Sequence, residues 1–452
     1  MTADRSQSLA QTPPAAPRTK ELSPGLPTQL AANVARWGLP AFILTLPLEF
    51  TSQYLKLQLA RIVLVVVAIA FAYLVVTGER KLLVPLGSSS MMLVAFVAVS
   101  VLSWLLTRAP GSTNELADVV LYPFVALLVV NLARTETDHR NAWIAFLVSG
   151  IAIALLLVVL HFTHLAIWRG DPLGARTNAT FGDPNVAARF LTLSACAGIV
   201  LFAGRVRIDK LALGAVVTCA AFTASTLSKT SLLVFPVSAA IAAVAGRDRR
   251  RAAAVGALAL LIFAASVLFT PGASPRIVRA VNQILGGANI IATQSSTTTT
   301  NQQINQSELD LVRVYLIRAG WQMFLDHPIA GVGVGGYQHS LTTTYKSYLP
   351  QNPPATLSHT ALVTVLAEQG LIGIGLLGAF LVLLLREVVK SLRRPTSWRE
   401  WIVTPAVLFI PIIAFSQVEG RMLEEPYLWL ALGLLYSALA LEKSMRTVEL
   451  PA

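Results

Sequence analysis

The stretch from 331 to 375, GVGVGGYQHSLTTTYKSYLPQNPPATLSHTALVTVLAEQGLIGIG, joins a glycine-rich turn, a polar loop and a long apolar segment. A histidine, His359, stands at the start of that apolar segment, which is long enough to be a membrane-spanning helix. The stretch therefore predicts a junction between water and membrane, and we interpret the rest of the chain as the frame that holds this junction.

The composition predicts an all-α integral membrane protein. The chain has 452 residues, of which 55% are hydrophobic and 13% charged, with a mean hydropathy of +0.65. Apolar runs long enough to span a bilayer, about 20 residues each, recur along its length. The net charge of +12 would suggest nucleic acid in a soluble protein, but here its distribution fits membrane topology, so we predict no nucleic-acid partner.

The sequence predicts neither a metal site nor a cofactor. Cys196 and Cys219 both lie inside apolar runs, which is typical of small core residues and argues against a disulfide or a thiolate metal site. No Asp-x-Asp motif or His/Cys cluster is present. The glycines of GVGVGG superficially resemble a nucleotide loop, yet no strand precedes them, and we predict a tight turn after Pro328.

We predict twelve spanning helices, separated by Gly, Pro or charge clusters. They are 37–54, 57–77, 88–107, 115–133, 142–164, 185–204, 210–227, 230–246, 252–270, 360–386, 400–417 and 426–442. The predicted organisation is a disordered cytoplasmic tail (1–36), nine spans (37–270), a large periplasmic loop (271–358), three further spans (359–442) and a cytoplasmic tail (443–452).

The distribution of positive charge predicts the orientation. With both termini in the cytoplasm, the inner loops and tails hold 22 of the 35 lysines and arginines. The long loop then lies outside the cytoplasm, and loops of that length are usually functional. Within it, apolar residues recur at helical spacing and predict an amphipathic helix over 308–325 near the membrane surface.

His359 is the candidate catalytic base. Free backbone N–H groups at a helix start disfavour imidazolium, and a neutral imidazole suits general-base chemistry near neutral pH. The alternative is a loop histidine bonded to solvent or backbone. His339 is a candidate for a supporting role, against the same alternative.

Four cations are candidates for binding a diphosphate: Arg189, Arg313, Arg176 and Lys229. Arg189 stands one turn inside a predicted span, an expensive position for an unpaired charge, and guanidinium groups hold phosphate oxygens in a planar fork. The alternatives are ion pairs with acidic residues, contact with lipid head groups, or, for Lys229, anchoring of a turn. Glu368, inside the tenth predicted span, is expected to pair with an arginine and position it; the alternative is that it reaches the substrate.

Two motifs resemble those of a known family. They are HPIAGVGVGGY (327–337) and LAEQGLIG (366–373), with Arg313 before them and FGDPNVAARFL (181–191) further upstream. Together they resemble the O-antigen ligase/polymerase superfamily of bacterial envelope glycosyltransferases, over about residues 170–375.

Finer spacings within the resemblance point towards the ligases. His359 and Gly370 match a His-x10-Gly pattern, and Arg189 and Leu193 match Arg-x3-Leu. The Arg-x10-Gly spacing associated with polymerases is also present, at Arg276 and Gly287. The chain departs from the family at two positions: it has Thr360 where many members have Asn, and Lys229 where many have Arg.

The resemblance implies a twelve-span bacterial inner-membrane enzyme with a periplasmic active site, surrounded by membrane lipid. The donor would be O-antigen polysaccharide on undecaprenyl diphosphate, and the acceptor a sugar hydroxyl of lipid A–core. His359 would take the acceptor proton, while Arg189 and Arg313 would stabilise the departing diphosphate. Neither a metal nor another cofactor would be needed, and direct displacement would invert the anomeric carbon.

Other functions are open at this point. An O-antigen polymerase or a protein O-oligosaccharyltransferase shares the donor and differs in the acceptor. A transporter of lipid-linked glycans is the main alternative from another class, but it is expected to have interrupted or polar helices near the membrane midplane. The charges predicted here concentrate at one face instead, which favours the enzyme.

Overall fold

The computed structural model describes residues 25–163, 165, 167, 176–204, 206–278, 312–348, 360–420 and 422–448, and their regular structure is helical. The helices are α1 (Leu26–Thr45), α2 (Ser52–Leu55), α3 (Leu59–Val76), α4 (Ser88–Thr107), α5 (Thr113–Leu132), α6 (Glu136–Thr163), α7 (Pro184–Phe202), α8 (Asp209–Thr223), α9 (Lys229–Ala245), α10 (Arg249–Phe269), α11 (Val312–Asp326), α12 (Gly336–Thr342), α13 (Ala361–Leu392), α14 (Arg399–Glu419) and α15 (Pro426–Val448). The chain is an all-α integral membrane protein, as its composition predicts.

Each of the twelve predicted spans overlaps a helix, although the first, 37–54, extends beyond the end of α1 at Thr45, and not all of these helices are equally suited to cross a membrane. In the described part of the chain, nine are long and apolar enough: α3 to α7, α10 and α13 to α15. The apolar helix α9 has 17 residues and α8 has 15. The first helix begins at Leu26 rather than at residue 37, because its extra turns bury Ala31 and Ala35.

Helix α7 is the centre of the bundle. In its most apolar window 89% of the residues are buried, against 22% for α3 and for α4, which lie at the periphery. It contacts α6, α8, α9 and α14. Close approach depends on small side chains: a Cβ at Gly198 would lie 2.8 Å from the Ala212 carbonyl oxygen of α8. Cys196 and Cys219 are buried free thiols in this core, as predicted.

Helix α13 is broken inside the membrane-spanning stretch, at Gly370. This residue has φ 60° and ψ −153°, a conformation open to glycine. The glycine-rich turn supplies the hydrogen bonds that the break removes. Leu371 N–H donates to the Pro328 carbonyl at 2.8 Å, and Val332 N–H donates to the Ala367 carbonyl at 2.9 Å. The break is therefore stable because the turn satisfies its backbone groups.

The two motifs, residues 327–337 and 366–373, therefore form one interlocked unit. The turn approaches α13 so closely that a Cβ at Gly331 would lie 2.2 Å from the backbone carbon of Glu368. Helix α11, which confirms the predicted amphipathic helix within the described residues, packs on the same unit, and Tyr337 Oη donates to the Leu316 carbonyl at 2.6 Å. The predicted start of that helix, residues 308–311, lies outside the described residues.

Candidate functional site

Arg189 lies in a buried ion cluster at the start of α7. Its side chain is 3% exposed, and its Nη1 lies 2.6 Å from Glu419 Oε2, on the last turn of α14. Its Nη2 contacts Glu425, the residue that precedes α15. If both acids were ionised, the carboxylates of Glu419 and Glu425 would surround one guanidinium, that of Arg189. Among the described residues, Arg189 Nε and Glu425 Oε1 have no hydrogen-bond partner.

Burial, assisted by repulsion between the acids, favours the protonated form of Glu425 in this cluster. Burial raises the pKa of Glu425 to about 7, and the attraction of Arg189 only partly opposes that rise. Glu419 and Glu49 raise it further by repulsion. Near neutral pH Glu425 is therefore partly protonated, and the net charge of the cluster depends on pH.

A second group of cations surrounds the turn between α8 and α9. Arg176 donates from Nε to the Thr226 carbonyl at 3.2 Å and from Nη2 to Asn185 Oδ1 at 3.1 Å. Arg276 donates to the Leu227 carbonyl at 3.1 Å. Lys229 is the first residue of α9. Three cations and a helix N-terminus at one turn provide a favourable environment for an anion.

The start of α13 is fixed to the same end of the bundle. His359 lies outside the described residues, but the next residue, Thr360, donates from Oγ1 to the Gln417 carbonyl at 3.2 Å. Leu362 N–H donates to Gln417 Oε1 at 3.4 Å. Gln417 precedes Glu419, the partner of Arg189, by two residues. The segment that follows His359 and the Arg189 cluster are therefore both held by the last turn of α14.

A cavity of about 60 Å³ opens beside the first turns of α13. Its described lining combines carboxylates with amides, contributed by Glu115, Glu368, Glu424, Gln338 and Gln369. Such groups accept and donate hydrogen bonds in the way that sugar hydroxyls require. The volume is enough for a few water molecules or one exocyclic substituent.

The supporting residues occupy different positions in this region. Glu368 Oε1 accepts the Tyr337 N–H at 3.1 Å and thereby holds the glycine-rich turn; its pairing with an arginine stays a prediction. His339 is exposed on α12, and its neighbour Gln338, rather than His339 itself, lines the cavity. Of the predicted diphosphate ligands, Arg176 and Lys229 come together, Arg189 is ion-paired, and the side chain of Arg313 lies outside the described residues.

We did not predict roles for Gln417, Glu419 or Glu425 from the sequence. The signal for the two acids was present: an arginine inside a span needs a counter-charge, and the EGRMLEEP stretch (419–426) ends one predicted span and begins the next at the same face. No comparable signal marks Gln417, whose role depends on the way α14 packs beside the start of α13.

A family model described as O-antigen ligase matches residues 214–378. This range runs from α8 to the middle of α13 and contains Lys229, both interlocked motifs and His359. It ends upstream of the acids at 419–425 and begins downstream of Arg176 and Arg189. No curated protein matches the chain.

Proposed function

Because the chain carries an O-antigen ligase domain, we propose that it transfers O-antigen polysaccharide from undecaprenyl diphosphate to a sugar hydroxyl of lipid A–core. The O-antigen ligase/polymerase type of activity follows from the family match. The donor, the acceptor and an active site on the periplasmic face of the bacterial inner membrane are our proposal, supported by the motif spacings and by the positive-inside charge distribution.

The contacts made by the last turn of α14 give this proposal its strongest support. The last turn of α14 binds Thr360 through Gln417 and Arg189 through Glu419. The residue after the candidate base and a buried guanidinium are thus held by the same helical turn. An acid–base group beside cations is what transfer from a diphosphate leaving group requires.

In the proposed reaction, His359 removes the proton of the acceptor hydroxyl as its oxygen attacks the anomeric carbon of the donor. The bond between that carbon and the diphosphate oxygen breaks, and undecaprenyl diphosphate leaves with the electron pair. Displacement from the opposite face inverts the anomeric centre. We expect the reaction to need no metal, because positioned cations stabilise the charge that develops on the leaving group.

We assign the cations to two groups, one that binds the donor diphosphate and one that stabilises the charge of the transition state. Arg176 and Lys229, with Arg276 beside them, are assigned to the diphosphate because they converge on the turn that begins α9. Arg189 and Arg313 are assigned to the charge that develops in the transition state. Protonation of Glu425 would leave Arg189 with one ionised partner instead of two, so the net charge of the cluster would change from −1 to zero and its repulsion of the diphosphate would fall.

The acceptor sugar is assigned to the mouth of the cavity beside α13. Its carboxylates and amides suit an uncharged or cationic sugar and oppose a phosphorylated one. Glu368 contributes indirectly, because it fixes the glycine-rich turn that forms one wall.

Reconstitution of the purified protein with lipid-linked O-antigen and lipid A–core tests the proposal. We expect a covalent glycan–lipid A–core product that forms equally well in EDTA. Three acceptors separate the related activities: lipid A–core for a ligase, a second lipid-linked glycan for a polymerase, and an acceptor protein for an O-oligosaccharyltransferase. Movement of the glycan across vesicles without bond formation would contradict all three and indicate transport.

A further inference from the structure

A groove of about 620 Å³ runs along the outside of the bundle between α1, α3 and α5. Its volume is within the range of roughly 300–1,000 Å³ typical of small-molecule sites. Apolar side chains line most of it, among them Val65, Leu121 and Phe124, which are 56%, 60% and 61% exposed. An apolar groove of this kind on a membrane-facing surface suits a hydrocarbon chain.

The depth of the groove is that of one membrane leaflet. On α3 it extends from Ala60 to Phe71, roughly 17 Å along a helix, and on α5 from Asp118 to Asn131, roughly 20 Å. One leaflet contributes about half of the ~30 Å hydrocarbon core. The far end is closed where Asn131 exchanges two hydrogen bonds of 2.8 Å with the backbone of Leu83. A phospholipid acyl chain fits this depth, whereas an eleven-isoprene chain is much longer than the groove.

The rim of the groove, at the end near Arg189, carries charges of both signs with acids in excess. Four carboxylates and two guanidinium groups line it among the described residues: Glu49, Asp118, Glu424, Glu425, Arg61 and Arg189. Arg189 is already engaged by Glu419 and Glu425. Even with Glu425 protonated, acids outnumber arginines at the rim. Such a rim attracts an ammonium group and offers Arg61 to one phosphate.

We propose that this groove binds one acyl chain of a zwitterionic phospholipid, with its ammonium group at the rim carboxylates and its phosphate at Arg61. The rim shares Arg189 and Glu425 with the candidate site, but the apolar groove takes no part in the proposed transfer, and lipid binding in it does not depend on the proposed function. Glu424 lines both the groove rim and the cavity beside α13. A lipid bound here therefore lies beside the candidate site.

Native mass spectrometry of the full-length protein, titrated with dioleoylphosphatidylethanolamine or dioleoylphosphatidylglycerol, tests the proposal. We expect one tight site for the ethanolamine lipid and binding of the glycerol lipid that is weaker by about fivefold or more, since each surface charge contributes about that factor. The double variant Asp118→Asn, Glu424→Gln should lose this preference while still binding lipid.

Two matched variants on α3 test the place of the chain. Ala68→Trp fills the groove, while Ile69→Trp changes the next residue, which is 65% exposed and lies outside the lining. We expect loss of the tight site in the first variant only. Equal binding by both variants, or equal affinity of the wild type for both lipids, would overturn the proposal. So would displacement of the ethanolamine lipid by equimolar undecaprenyl diphosphate, which would assign the groove to the donor.

Discussion

Glu419 Oε2 lies 2.6 Å from Arg189 Nη1, so the last turn of α14 is fixed to the buried central helix α7. Two residues earlier, Gln417 accepts the Thr360 hydroxyl and so fixes the start of α13. A single helical turn thus connects the two parts of the chain that carry the candidate chemistry.

Removal of the Arg189 guanidinium should destabilise the protein, because two buried acids lose their counter-charge. Arg189→Met leaves Glu419 and Glu425 facing each other in a buried position, and we expect a loss of about 3–5 kcal/mol in the free energy of unfolding. The triple variant with Glu419→Gln and Glu425→Gln should recover most of this loss. Reversible unfolding in mixed micelles measures both. A triple variant no more stable than Arg189→Met would argue against the ion cluster.

The cluster should also make stability depend on pH. The pKa of Glu425 is raised from 4.5 to about 7 in the folded protein. Between these values the folded chain retains a proton that the unfolded chain releases, so this contribution to stability is present below pH 4.5 and is lost as the pH rises through 7. Glu425→Gln should flatten the decline of Tm between pH 5 and 8. The exposed Glu79→Gln serves as control, and identical slopes in wild type and Glu425→Gln would contradict the assignment.

The glycine contacts predict a sharp positional effect on α13. Gly370→Ala places a Cβ 2.5 Å from the backbone of Ile329 at positive φ, and Gly331→Ala meets Glu368 at 2.2 Å. Strain of this kind costs about 1–3 kcal/mol before the clash is counted. Gly378→Ala, on the same helix with open space around it, should be neutral or stabilising. Thermal unfolding should therefore separate the first two variants from the third; a similar Tm for all three would contradict the interlocked arrangement.

The cations at the α8–α9 turn should affect the donor rather than the acceptor. Each charged hydrogen bond contributes about 1.5–3 kcal/mol, so Arg176→Ala and Lys229→Ala should each raise the donor KM by about 10- to 100-fold. The exposed Lys346→Ala provides a matched loss of charge and should leave the donor KM unchanged. Steady-state kinetics with each substrate varied in turn checks this, and an effect on the acceptor KM alone would reassign these residues.

Much of the fold could be predicted because membrane-spanning helices are coded by local apolar runs. The span predicted at 88–107 coincides with α4 (Ser88–Thr107). The start of α1 could not be placed in the same way, because its first turns are held by tertiary burial of Ala31 and Ala35 rather than by hydropathy. The break at Gly370 could not be predicted for a related reason. The apolar pattern continues through it, and the break is stabilised by the Pro328–Val332 turn, which is distant in sequence.

The sequence predicted which types of residue the candidate site contains, but not which of these residues form ion pairs or hydrogen bonds with each other. The cost of burying Arg189 indicated that it needed a partner, but the choice of Glu419 and Glu425 depends on how α7, α14 and α15 pack. The hydrogen bond from the Tyr337 N–H to Glu368 could not be predicted, because its donor is a backbone amide. A hydrogen bond from a backbone N–H cannot be recognised from the types of the side chains.

The most direct test of the central claim is the turnover of His359→Ala in the reconstituted transfer reaction, with His339→Ala as the matched histidine control. General-base catalysis contributes about 10²–10⁴-fold. We therefore predict a loss of kcat of that size in His359→Ala with the donor KM little changed, and near wild-type turnover in His339→Ala. Full turnover in His359→Ala would contradict the assignment of the base, and with it the mechanism proposed for this end of the bundle.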